Sequence, residues 1–132
     1  MRIEAHEQRL KESIDVIEES IEAGITKRQR NIGFNASAAA IDMLEILLHK
    51  AGKLGTDAII KHEWLNSKRK TEEKLGFDFP HKAMILKLIQ AIESSRNRLC
   101  YGTPRPEREI AEVIHAFNKL REEFGKAEQE TG

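Results

Sequence analysis

Apolar residues recur along this chain at helical spacing, and no segment alternates as a strand would. Ile3, Leu10, Ile14, Ile17 and Ile21 form one narrow stripe, the signature of a long first helix packed along a single seam. Gly24 closes it, and ITKRQR is the turn. The next helix, over about 30–53, differs in kind. FNASAAAIDMLEILL is apolar on most of its circumference, through Phe34, Ile41, Met43, Leu44, Ile46, Leu47 and Leu48. A helix of that pattern is touched on several sides, and Ala36, Ala38, Ala39 and Ala40 let a neighbour come close. It is the central helix, ended by Gly52 and Gly55.

From 56 to 75 the pattern weakens. Thr56 reads as a cap, and Ile59, Ile60, Trp64 and Leu65 read as the packing face of one short helix that then turns polar. GFDFP breaks the chain, with Pro80 suited to a first helical turn. Ile85, Leu88, Ile89 and Ile92 mark the next helix. After YGTPRP, Thr103 can cap a last helix whose face is Ile110, Val113, Ile114, Phe117, Leu120 and Phe124. Gly125 stops it. The fold class is therefore all-α: an antiparallel up-and-down bundle of four main helices plus one short helix. It forms a single domain over 1–125 with a frayed tail at 126–132.

Composition narrows the function classes. In 132 residues, 22 basic side chains balance 22 acidic ones, so any affinity for nucleic acid must come from local clusters. One cysteine, Cys100, cannot form an internal disulfide, which points to a reducing compartment. No apolar run approaches a membrane span, and the N-terminus lacks the apolar core of a signal peptide. The expectation is a cytoplasmic protein with no membrane contact. No cofactor is read from the sequence.

The chemistry gathers in SSRNRLCYG, residues 94–102, at the end of the fourth helix, counting the short one. An arginine followed by asparagine, then an aromatic–glycine step and a capped last helix, behind a small-residue-rich central helix, resembles the HEPN domain (higher eukaryotes and prokaryotes nucleotide-binding). The likeness spans about 10–124, although only RNRLCYG carries a motif. It implies a helical bundle, usually dimeric. It also implies a metal-independent ribonuclease site of an arginine, a polar residue and a histidine four to six positions on. Several members pair with a small nucleotidyltransferase as toxin and antitoxin. Arg96 and Asn97 match the first two positions. Tyr101 stands where the histidine should be, and a tyrosine of pKa about 10 is a poor base at neutral pH. The resemblance thus implies a degenerate site that keeps RNA or nucleotide affinity without robust catalysis.

Around that motif, Lys27, Arg28, Arg30, Arg96 and Arg98 would share one pole of an up-and-down bundle, a cationic surface suited to phosphate. That geometry requires the short middle helix not to reverse the chain direction. Asn97 also reads as a helix C-cap and Cys100 as a small buried hydrophobe. Two enzymatic rivals stand beside this binding module. In one, His115, seven residues after Arg108 on the outer face of the last helix, replaces the missing histidine across a homodimer. In the other, Glu18, Glu19 and Glu22 face Asp42 and Glu45 to hold magnesium, as in helical nucleotide pyrophosphatases. Asn35, Asp42, Glu45 and His49 also share a stripe, which reads as a metal site, a solvated edge or hydrogen bonds across an interface. His6, His62 and His81 are given no role.

Overall fold

A computed structural model describes residues 2–55 and 58–131, and among them every regular element is a helix. Four long helices run α1 (Ile3–Ala23), α2 (Gln29–Lys50), α5 (Lys82–Tyr101) and α6 (Glu107–Thr131). Two short ones, α3 (His62–Leu65) and α4 (Lys68–Lys74), lie between α2 and α5. The direction of each long helix follows from its cross-links. His6 of α1 meets Asp42 and Glu45 of α2, Ser37 of α2 meets Glu93 of α5, and Lys50 of α2 meets Glu128 of α6. The order is up, down, up, down, so the short helices do not reverse the bundle.

α2 is the core of the molecule. Ile32, Ala39, Ala40, Ile46, Leu47 and Leu48 are fully buried, as its apolar circumference requires. It is also the one described helix long and apolar enough to cross a membrane by length and composition, which the sequence reading had denied to every segment. Here α1, α5 and α6 cover it. Its end is a Schellman motif. Gly52 sits at φ 71°, its N–H bonds His49 O at 3.1 Å, and the Lys53 N–H bonds Leu48 O at 2.8 Å.

α1 is rotated from the stripe read in the sequence. Ile17 is buried, but Ile21 is 41% exposed, and His6, Ser13 and Ser20 turn inward. An apolar stripe alone could not reveal these inward polar residues. Between 58 and 75 the expected single helix is two short ones. Ser67 caps α4 by accepting the Lys70 N–H, Ile60 and Leu65 are buried, and Ile59 is exposed. The cap read at Thr56 lies outside the described residues. α5 begins at Lys82, leaving Pro80 in the preceding turn, and α6 begins at Glu107, so Thr103 does not cap it.

α6 continues through Gly125 to Thr131 where a frayed tail was expected. A mid-helix glycine costs only about 1 kcal/mol, and tertiary contacts override it. Ala127 is fully buried, and Lys50 Nζ donates to Glu128 at 2.6 Å. His81, left-handed at φ 59°, places its imidazole between Glu123 (2.9 Å) and Glu130. The Glu130 hydrogen bond, helped by Glu123 and opposed by desolvation, raises the His81 pKa above its usual 6.5. A raised folded-state value stabilises fully below 6.5, and the stabilisation fades as pH climbs through that value. Amide exchange in the last two turns of α6 should therefore quicken as pH rises from 6.5, beyond the intrinsic base catalysis of exchange. In His81→Asn, which tolerates the left-handed backbone, this extra step should vanish. Its persistence would clear His81.

Candidate nucleic-acid interface

Gln29, buried in the first turn of α2, assembles one pole of the bundle. Its amide donates to Leu99 O at 3.1 Å and to Thr103 O at 3.3 Å, and its carbonyl oxygen accepts the Arg105 N–H at 2.7 Å. The α1–α2 turn and the α5–α6 loop are thereby tied together. Beside it α2 and α5 nearly touch: a Cβ on Gly33 would meet Leu99 Cβ at 2.7 Å and Cys100 Sγ at 3.0 Å. That contact brings Phe34 of α2 under the side chains of α5.

Phe34 is the centre of the pole. The guanidinium of Arg30 lies 5.6 Å from its ring centroid and that of Arg96 lies 5.3 Å away, within cation–π range. Tyr101, 65% exposed, stands edge-on to the same ring at 5.8 Å. Neither guanidinium has a carboxylate within 4 Å among the described residues. Two cations thus share one ring, and each repels the other. Lys27 and Arg30 line a groove of about 480 Å³ with Tyr101, Gly102 and Pro104 along its wall.

The five cations read from the sequence do lie at this pole, but they are not equivalent. Arg28 pairs with Glu19 at 3.5 Å, and Arg98 pairs at 3.0 Å with Glu109, which also holds Arg105. Lys27, Arg30 and Arg96 remain for a ligand. Asn97 is no C-cap, because α5 continues past it to Tyr101; it is exposed on the helix surface. His115 is exposed on the side of α6 opposite Val113 and Phe117 and makes no contact with Arg96. Cys100 is buried, and burial pushes its thiol pKa up. Arg96 and Arg30 pull it back and Glu93 adds to the rise, so all three charges act on one neighbourhood.

No family model, curated protein or solved structure matches this chain. The site must be read from its own geometry.

Two polar clusters lie on α2; the sequence reading had offered the first as hydrogen bonds across an interface, one of three readings of the Asp42, Glu45 and His49 stripe, without its partner His6, and it had not offered the second. His6 Nδ1 is 2.8 Å from Asp42 Oδ1, and Nε2 is 2.6 Å from Glu45 Oε2, in a direction that makes no formed hydrogen bond. The Ile60 N–H donates to Glu45 Oε1 at 2.6 Å, Arg9 Nε lies 3.8 Å from Asp42 Oδ2, and the His49 ring stacks on His6 at 5.8 Å. The stripe of Asp42, Glu45 and His49 is thus a network across the α1–α2 interface. No group of three metal-ligating side chains forms among the described residues. Glu18 faces Arg121, Glu19 faces Arg28, and Asp42 and Glu45 face His6, so the carboxylates of the magnesium reading are not brought together.

The second cluster joins three helices. Glu93, buried on α5, accepts from Ser37 Oγ at 2.6 Å and lies 2.8 Å from His62 Nδ1. His62 caps this pair from α3 with its ring 41% exposed. The only sequence signal was a glutamate, Glu93, on the apolar face of α5, three residues before the motif arginine.

Proposed function

We propose that this chain is an RNA- or nucleotide-binding helical module of the HEPN kind, taking phosphate at the Arg30–Arg96 pair and a base on Tyr101. One observation carries it: two guanidinium groups held over the single ring of Phe34 with no carboxylate on either. An anion between them removes their mutual repulsion and uses donors that are already in place. The exposed Tyr101 supplies a stacking face beside them, the combination that single-stranded nucleic acid requires. Pairing with a second copy or with a small nucleotidyltransferase belongs to the same proposal and rests on the sequence resemblance.

The test is binding of a labelled single-stranded RNA over a range of salt. Each phosphate contact contributes about 0.7 to the slope of log affinity against log salt. Arg30→Ala/Arg96→Ala should therefore flatten the slope by about 1.4. Tyr101→Ala should weaken binding by about 1–3 kcal/mol and leave the slope unchanged. An unchanged slope in the arginine variant would refute the assignment.

A further inference from the structure

One groove of the bundle has a floor whose hydrogen bonding is incomplete. It holds about 280 Å³ between α1, α2 and the segment leading into α3, and it shares no lining residue with the groove at the cationic pole. His6, Asp42 and Glu45, at 2–3% exposure, form its floor. Asp42 Oδ1 is hydrogen-bonded to His6 Nδ1 at 2.8 Å, and Glu45 Oε1 accepts the Ile60 N–H at 2.6 Å. Asp42 Oδ2 and His6 Nε2 are buried with no hydrogen-bond partner. Arg9 also lines the groove, but its Nε, 3.8 Å from Oδ2, is too far to donate to that oxygen. Native structures leave few buried polar atoms in this state, because each costs the desolvation of a group with nothing in return.

The gap defines what fills it. An ionised carboxylate only accepts, so the group that completes Asp42 Oδ2 must donate. Two carboxylates at one floor repel an anion and favour a cation over a neutral donor. A divalent metal does not fit: it needs several ligands converging at about 2.0–2.6 Å, and no group of three such side chains forms among the described residues. A primary ammonium needs no such convergence. It carries three donors and no acceptor, and it bonds carboxylates at about 2.7–2.9 Å. The walls then select its tail. Ile41 is buried in the groove, and Ile59, 57% exposed beside it, is the most exposed large aliphatic side chain among the described residues. An alkyl chain leaving the ammonium would cover both.

We propose that this groove binds a small primary aliphatic amine as its ammonium ion. Asp42 Oδ2 and Glu45 accept from the ammonium, and the methylenes lie along Ile41 and Ile59. The volume stands at the small end of ligand sites, which run from about 300 Å³ upwards, so the chain is a few carbons long. The site is separate from the phosphate site, and neither depends on the other.

The experiment titrates the full chain, isotope-labelled at histidine, with methylamine, n-butylamine and n-butanol at fixed pH and ionic strength. The His6 and His62 rings, which line the groove, should shift and saturate with both amines, while His81 and His115, outside it, stay still. n-Butylamine should bind more tightly than methylamine, by about fourfold for each methylene that the walls cover. n-Butanol, of the same length without the charge, should leave the rings unmoved. Asp42→Asn, which keeps the shape and removes the charge, should weaken n-butylamine binding by about 30-fold or more. Should that variant not fold, Ile59→Ala decides instead: it should weaken n-butylamine several-fold and leave methylamine unchanged. Nα-acetyl-lysine methylamide should bind less tightly than n-butylamine; tighter binding would overturn the free amine in favour of a lysine from a partner protein. Unmoved His6 and His62 rings, n-butanol binding as well as n-butylamine, or undiminished binding by folded Asp42→Asn would each overturn the site.

Discussion

His6→Leu is expected to destabilise the fold by about 3–5 kcal/mol, the cost of removing one partner from a buried ion cluster. Asp42 and Glu45 are each 3% exposed and sit on the same turn of α2, with the His6 imidazole between them. Nδ1 is hydrogen-bonded to Asp42 at 2.8 Å, and Nε2 lies 2.6 Å from Glu45 without a formed hydrogen bond. With leucine there, two buried carboxylates lose their shared partner, and among the described residues Arg9 at the rim and the Ile60 N–H remain close. Urea unfolding checks this directly. In the leucine background, Asp42→Asn/Glu45→Gln should recover a large part of the loss by removing the stranded charges. A cost below about 1 kcal/mol, or no recovery, would show that His6 is a packing residue and that its carboxylate contacts do not stabilise the α1–α2 seam.

Gly33→Val should be the next largest effect, and it links stability to binding. A Cβ at this position overlaps Leu99 Cβ at 2.7 Å, an atom fixed to the α5 backbone, so the helices must separate. Overpacking of this kind costs about 3 kcal/mol at the upper end of its range, and valine also carries two further methyl groups. The favourable exchange of a helical glycine for a residue with better propensity offsets less than about 1 kcal/mol. The separation would also move Phe34 away from Arg96. RNA affinity should therefore fall even at temperatures where the variant is fully folded. A variant as stable as the wild type, with affinity intact, would mean that the α2–α5 contact does not build the pole.

Much of this architecture was legible in the chain. The four long helices and the central position of α2 follow from apolar periodicity, and the up-and-down order put the basic turn and the end of α5 at one pole. The features that sequence missed share a physical cause. His6, Ser13, Ser20, Ser37 and Glu93 are polar and buried, and a pattern read as apolar-inward places each of them outside, while for Asp42 and Glu45 hydrogen bonds across an interface were one of three readings of their stripe. Their partners are 31 to 56 residues away in sequence for His62–Glu93, His6–Asp42 and Ser37–Glu93, so no local motif joins them. Gly125 misled for the opposite reason: a local breaker signal was outweighed by contacts from α2 and His81 that no window of sequence contains. At the candidate site, residue identity located the cations but not their partners. Glu19 and Glu109 remove Arg28 and Arg98 from the set, and Phe34, read as a core residue, is half-buried as the platform beneath Arg30 and Arg96.

The most direct test is a titration of isotope-labelled protein with a short single-stranded RNA, following arginine Nε–H and aromatic ring resonances together. The geometry predicts that the Arg30 and Arg96 Nε–H groups and the Phe34 and Tyr101 rings shift first and saturate together, while Arg28 and Arg98, held by their carboxylates, move little. Shifts centred on the basic run of α4 or on the outer face of α6, with the Phe34 ring silent, would contradict the account and place the ligand elsewhere on the bundle.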